Sequence, residues 1–354
     1  MIYKTSLNEV EQYRSNPALN QSKLKTLLYN MEVFKNSSNE KEEYFEEKES
    51  LVIGSAVDAM ICSTEEDYEQ TFHVSSDENK PSATIMNILK YVYNIAPEGL
   101  RKTLPLHNLQ DKISEAVDKF EYYPKWPIQT RINKILENYK YFKDLQLAEG
   151  KQVLSKEQED ISISIVNSFK SNKLTSILLG NPSSDTYYQK PLYFTYKGVK
   201  CKALPDIITV RYDSNKNPIS VFITDIKTMS GFTTNFGNSL RRFRYDIQAA
   251  WYMEALKANL KTLGLPENIK IEPFLFLVES TTNTGSPVIY KVTDNLLNIG
   301  KFGRKELRGN GILVSKEIRG FDSLLDDYIY YEKKGWIVDK RIEKTVVDLD
   351  WDNF

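Results

Sequence analysis

Apolar and polar positions along the chain separate it into three stretches with different periods. In the first, Leu24, Leu27, Leu28, Met31 and Phe34 lie at helical spacing behind Ser22, which predicts one helix over residues 19–34 with Ser22 as its N-cap. Lys23, Lys25 and Lys35 occupy its polar side, as on any solvated helix face. A charged run over 36–50 follows and predicts a loop. The next run, 51–61, is apolar and rich in small residues, with Asp58 in its middle. It predicts a tightly packed helix that begins near Gly54. A carboxylate on a buried helix needs a hydrogen bond, a cation or a metal. The local sequence leaves Asp58 open between a satisfied structural acid and a ligand.

The second stretch is helical. Segments over 83–93, 109–120, 130–147 and 155–179 are predicted, with a break at Tyr122-Tyr123-Pro124-Lys125-Trp126-Pro127. It carries no chemical motif and reads as an inserted helical cap or the wall of a channel.

The third stretch changes to strand patterns. Residues 186–195 are rich in Tyr, Phe and Thr, Lys197-Gly198 turns the chain, 199–210 returns, and 219–227 follows a turn at 213–218. An antiparallel meander is predicted. A looser segment over 232–244 leads to a strong helix at 245–263, ended by Gly264 and Pro266. Strands at 271–278 and 287–292, helical segments from 294 and over 321–331, and a tail at 346–354 complete the chain. The fold class is α/β (α+β), a central mixed sheet flanked by helices with a helical insertion. The expected divisions are 1–75 for N-terminal helices of the core, 76–180 for the insertion, 181–300 for the sheet and its helix, and 301–354 for a C-terminal helical region.

Composition narrows the chemistry. The 354 residues are 41% hydrophobic and 27% charged, which suits a soluble globular protein with a sizeable core. No run suits a membrane span or a secretory leader, so a cytoplasmic protein is expected. The two cysteines, Cys62 and Cys201, lack metal-site spacing, and with two histidines, His73 and His107, a His-rich centre or a Ser-His-Asp triad is nearly excluded. Reactions here rest on carboxylates, Lys, Tyr and Gln. A net charge of −1 is not that of a nucleic-acid coat, although a local basic groove suffices for an enzyme.

Such a set lies between 200 and 252. Asp206 follows Pro205 in a strand-like run, and Asp225 and Lys227 stand two apart on the next strand, hence on one face. Gln248 and Tyr252 share a helix face one turn apart. Two carboxylates and a lysine at one spot suit hydrolysis of a phosphodiester with Mg²⁺. Asp206 and Asp225, with the backbone carbonyl of Ile226, would give oxygen ligands, and Lys227 would orient water or meet the charge on the phosphate. The alternative for so short a pattern is a salt-bridged strand pair in a core. Against that, both acids have apolar flanks, where charge is costly. Arg241, Arg242 and Arg244 lie between the strand and the helix and read either as phosphate contacts or as a solvated loop.

Asp206, Asp225, Lys227, Gln248 and Tyr252 together resemble the PD-(D/E)xK nuclease superfamily in its Gln-x-x-x-Tyr branch. Four ordered blocks are similar to the RecE-type and related phage exonucleases: Leu19-Asn20-Gln21-Ser22-Lys23-Leu24-Lys25, Gly54-Ser55-Ala56-Val57-Asp58-Ala59, Cys201-Lys202-Ala203-Leu204-Pro205-Asp206, and Asp225-Ile226-Lys227-Thr228 with the helix from Tyr245 to Tyr252. The resemblance implies a restriction-endonuclease-like core and a Mg²⁺- or Mn²⁺-dependent deoxyribonuclease, an exonuclease that resects linear duplex ends for recombination or repair. It implies a metal ligand at Asp58, where relatives carry histidine, a water-orienting role for Gln189, where they often carry glutamate, and support of the site or a backbone contact for Gln248 and Tyr252. Lys23 and Lys25 match the position where relatives bind a terminal phosphate. DNA as partner, a single-strand annealing protein, a homo-oligomer and a phage origin are implied by the same analogy, and no membrane is. An endonuclease or single-strand nuclease with the same site, or a non-catalytic DNA-binding module on the same fold, are the alternatives.

Overall fold

The computed structural model describes residues 1–29, 31–36, 49–75, 81–307 and 315–336. The expected tail at 346–354, and residues 37–48 of the charged run, lie outside them.

The chain opens with strand β1 (Ile2–Lys4) and helix α1 (Leu7–Ser15), which starts at a capping box of Ser6 and Glu9. Next come α2 (Gln21–Lys25) and α3 (Met31–Asn36), with a 3₁₀ turn at Thr26–Leu28 between them, so the single helix expected over 19–34 is interrupted. Its cap is Asn20 and not Ser22: the Asn20 side chain accepts from the Lys23 amide at 2.8 Å. The cause lies in Leu19. Its amide donates to the Lys200 carbonyl and its carbonyl accepts from the Lys202 amide, which pins Leu19 in an extended conformation. The helix can begin only after it.

The next helix, α4 (Glu49–Cys62), starts earlier than expected and includes Leu51, Val52 and Ile53. After α5 (Glu65–Thr71), β2 (Phe72–Val74) leads into the insertion: α6 (Ala83–Ile95), α7 (Gln110–Lys119), α8 (Ile128–Leu136) and α9 (Tyr139–Ala148). β3 (Gln152–Leu154) leads out and pairs in parallel with β2. The four helices close on a core of their own, in which Ile88, Leu89, Val92, Ile113, Ile135 and Phe142 are buried. The β2–β3 pair is the neck where the chain leaves and re-enters. α10 (Lys156–Ser171) and α11 (Lys173–Leu178), expected within the insertion, lie beyond that neck. α10 packs on α4, with Ile165 and Phe169 in one cluster with Ile53 and Val57.

The second half contains β4 (Ser184–Tyr188), β5 (Leu192–Tyr196), β6 (Val199–Ala203), β7 (Ile207–Tyr212), β8 (Pro218–Met229), α12 (Phe236–Phe243), α13 (Tyr245–Asn259), β9 (Lys270–Ile271), β10 (Leu275–Ser280) and β11 (Val288–Lys291). α14 (Asp294–Phe302), the pair β12 (Arg304–Leu307) and β13 (Ser315–Ile318), and α15 (Phe321–Lys333) end the described chain. The central sheet runs β1-β4-β7-β8-β10-β11, with β9 beside β8. It is mixed: β1–β4 and β8–β10 are parallel, while β4–β7, β7–β8 and β10–β11 are antiparallel. Among the described residues no helix is long and apolar enough to cross a membrane.

The expected meander is divided between two sheets. Gln189 takes φ 47°, in the left-handed region, and ends β4. Pro205, which has no N–H to give a ladder, ends the return strand. The residues between form a separate hairpin, β5–β6, turned by Lys197 and Gly198, both at positive φ. This hairpin lies against α13, with Phe194 edge-on to Trp251 at 5.3 Å. The looser segment expected over 232–244 contains α12 because Phe236, fully buried, anchors it against Tyr245, Phe276 and Tyr290.

Strand β8 is buried along most of its length, so it reads as a continuous apolar run and not as an alternation. Its two faces still differ. Ile226 joins Val57 of α4 in one cluster, while Ile223 joins Ile247 and Trp251 of α13 in another. Alternation therefore places Asp225 and Lys227 on the α13 side.

α14 crosses the start of α13 at Gly300, where a Cβ would come within 2.0 Å of the Asp246 carbonyl oxygen. Gly300→Ala is expected to lower stability by roughly 3 kcal/mol, as overpacking against backbone does. Urea unfolding of the variant checks it, and an unchanged midpoint would contradict the crossing.

Candidate active site

Asp225 is the centre of the site. It is 1% exposed, in the middle of β8, where a carboxylate persists only with partners. Gln248 of α13 donates from Nε2 to its Oδ1 at 2.9 Å. Lys227 brings its ammonium to 2.5 Å from Oδ2. Oδ2 is buried and has no hydrogen bond of regular geometry, so the ion pair alone compensates it. The other face of the Lys227 ammonium lies 5.0 Å from the centroid of the Tyr245 ring. Burial alone would lower the pKa of Lys227. The Asp225 and Asp206 carboxylates outweigh it and hold the ammonium above the ordinary lysine range.

Asp206 stands in the bend that starts β7. Its Oδ2 accepts from the Ile226 amide at 2.7 Å, which joins the two acidic strands directly. Burial raises its pKa well above the carboxylate range, and Asp225 and Asp58 add to the rise. Gln189 reaches this corner through its backbone: its amide donates to the Asp206 carbonyl at 2.9 Å. Asp58 approaches from α4. Burial raises its pKa to about 7, against the pull of Lys227, and the Asp225 charge adds to the rise. α4 comes close to β8 because Gly54 faces Thr228, where a Cβ would lie 3.1 Å from Oγ1. Asp58 is one helical turn beyond that contact.

Over Asp58, Ile226 and Lys227 opens a cleft of about 510 Å³, lined also by Lys25, Arg242 and Arg244, while Asp206 and Asp225 lie behind its lining. Tyr29 and Phe243, 76% and 47% exposed, stand on its wall. Lys25 donates to the Phe243 carbonyl at 3.0 Å, and burial, with Lys227 nearby, lowers its pKa to about 8. The expected cations separate here. Lys25 and Arg242 line the cleft. Lys23, two residues from Lys25 and so on another helix face, lies over the Phe34 ring at 5.2 Å. Arg244 borders the cleft with its guanidinium committed, to both Asp246 oxygens at 2.9 and 2.8 Å and to the Arg319 carbonyl. It anchors the start of α13 to the C-terminal segment. Arg241 is exposed on α12. Tyr252 is buried beside Phe274, and burial, reinforced by Asp225 and Asp206, raises its hydroxyl's pKa far above the ordinary tyrosine range. It is a neutral wall of the site.

Two participants escape a sequence reading. Tyr245 faces Lys227, and Asp246 holds Arg244. Only the position of Asp246 in the first turn of α13 gives a signal, since an acid there favours the helix dipole.

Among the described residues no three His, Cys, Asp or Glu side chains stand together in a group that could hold a metal ion. The arrangement nevertheless fits a hard cation. Its donors are oxygens, Oδ2 of Asp225 is buried with no partner but the Lys227 ammonium, and the Asp225 charge bears on both Asp58 and Asp206. Both histidines lie elsewhere, His73 beside Asp144 at 3.6 Å and His107 within the insertion.

No family model matches the chain, and no curated protein matches it. Among solved structures it is similar to the crystal structure of a putative exonuclease from Eubacterium rectale, with 14% identity and a TM-score of 0.45 over 98% of this chain and 96% of that one.

Proposed function

We propose that the chain is a metal-dependent deoxyribonuclease that hydrolyses phosphodiesters at the floor of this cleft, an exonuclease resecting linear duplex ends for recombination or repair. The observation that carries the reading is Asp225. A carboxylate buried in a sheet, held at one oxygen by Gln248 and at the other by a lysine ammonium alone, is costly to fold and useful for binding a cation. Asp58, Asp206, Asp225 and the Ile226 carbonyl would hold Mg²⁺ or Mn²⁺. When bound, that ion offsets the charge of the phosphate and lowers the pKa of the attacking water.

The chain's own groups divide the remaining work. Gln248 fixes the rotamer of Asp225. Asp206 is fixed by the Ile226 amide. Lys227 is protonated through the whole neutral range and offers its proton to the phosphate oxygens as charge grows there. Lys25 and Arg242 meet flanking phosphates, and Tyr29 and Phe243 offer rings to the bases of an incoming strand.

End-labelled linear duplex incubated with Mg²⁺ or Mn²⁺ tests this, beside a closed circle of the same sequence. The linear DNA is expected to shorten progressively from its ends, with the circle intact and a chelator stopping the reaction. Absence of cleavage with either metal would refute the nuclease reading, and cleavage of the circle would replace exonuclease by endonuclease.

A further inference from the structure

The helical insertion carries a second pocket, of about 570 Å³, away from the residues named above. Its wall is one face of α9: Tyr139, Phe142, Lys143 and Gln146 recur at helical spacing and all line it. The opposite wall is the segment between α6 and α7, which brings Lys102 and His107. Among the described residues no carboxylate lines it. Phe142 is buried and forms the floor, while Tyr139 is 58% exposed at the mouth. Gln146 ties the two walls together, because its Nε2 donates at 3.0 Å to both the Arg101 and the Leu104 carbonyls. With the nitrogen committed, the amide oxygen is left as a fixed acceptor. Lys143 stands exposed at the rim. Lys102 pairs with Glu149 at 2.9 Å, but both side chains are more than half exposed, and such a pair exchanges readily for a phosphate.

Exposed ring, apolar floor, fixed acceptor and two flanking ammonium groups suit a flat heteroaromatic ring that carries a phosphate. We infer that this pocket holds a nucleotide unit of a DNA strand, its base against Tyr139, an exocyclic amine on the Gln146 oxygen, and its phosphate between Lys143 and Lys102. The inference rests on the nuclease reading only in taking DNA as the ligand. It gives the insertion a function, a second grip on the strand apart from the cleft.

Fluorescence anisotropy of a labelled single strand of about twelve nucleotides, with the full chain in EDTA, tests it. The double variant Tyr139→Ala/Lys143→Ala is expected to bind at least about tenfold more weakly, with the slope of log affinity against log salt shallower by about 0.7. Tyr139→Phe alone is expected to bind like the wild type, since the ring remains. Both side chains are exposed, so thermal unfolding should not move. A double variant with wild-type affinity overturns the proposal. If dAMP bound in a Lys143-dependent way while strand affinity ignored the substitutions, the occupant would be a free nucleotide and the strand assignment would fall. EDTA silences hydrolysis, so a protein that cuts nothing still reports on this pocket.

Discussion

Lys227→Met is expected to slow hydrolysis of linear duplex DNA by at least about a hundredfold, with the thermal midpoint falling in the same protein. The rate effect follows from what Lys227 is placed to do. Its ammonium is kept charged by Asp225 and Asp206 and opens onto the cleft. Losing one preorganised donor to a developing oxyanion costs about 10²–10³ in rate. The stability effect has a different source. Asp225 at 1% exposure would keep Gln248 and lose the ion pair, and removing one partner of a buried pair costs about 3–5 kcal/mol. The two effects separate by pH. Burial already raises the pKa of Asp225, so without Lys227 it takes up a proton more easily still, and acid pH should restore the midpoint but not the rate. Single-turnover cleavage and thermal unfolding at pH 6 and pH 8 measure both. A variant that cleaves within a factor of three of the wild type would remove Lys227 from the chemistry.

How much of this was legible in the chain follows from the range of each interaction. Asp225 and Lys227 were legible because a strand's period of two is strict, and Gln248 with Tyr252 because one helical turn is. Which of these residues share a face could be placed from those local rules. The connections could not. Strand continuity across 186–195 failed at Gln189, whose backbone turns left-handed to donate to the Asp206 carbonyl. That contact spans 17 positions and leaves no local mark. Arg244 departs from the reading of its basic run for a partly similar reason. Arg244 looks like its neighbours in a basic run, yet the Arg319 carbonyl, 75 residues away, and Asp246 take its donors. Asn20 displaced Ser22 as cap because a distant hairpin holds Leu19 extended. In each case at least one of the contacts that decided the outcome was remote in sequence.

Asp58 shows how the same cluster should tie stability to pH in the metal-free protein. Its carboxyl has an ordinary pKa of 3.8 and is raised by burial to about 7 in the folded chain. Between those values the unfolded chain has released the proton and the folded chain retains it. Stability conferred by this group is therefore fully present below about pH 3.8, falls as pH rises through the window, and levels off above about pH 7. Asp206 and Asp225 are raised too and act in the same sense, while exposed acids such as Glu149 and Asp213, lowered by their partners, act in the opposite sense. The difference between the wild type and Asp58→Asn isolates the one group. In EDTA the variant is expected to gain on the wild type as pH rises from 4 to 8, by up to about 4 kcal/mol as a ceiling set by the shift. The clustered carboxylates repel one another less when one is neutral, so the substitution stabilises what it disables. Mn²⁺ should reverse the order at pH 8. A cation that binds only the folded chain stabilises it by mass action, and the wild type, with the additional anionic oxygen ligand, should gain more than the variant. Urea unfolding across pH, with and without Mn²⁺, measures both differences. Parallel pH curves would show that Asp58 keeps an ordinary pKa, and equal Mn²⁺ gains would remove it from the ligand set.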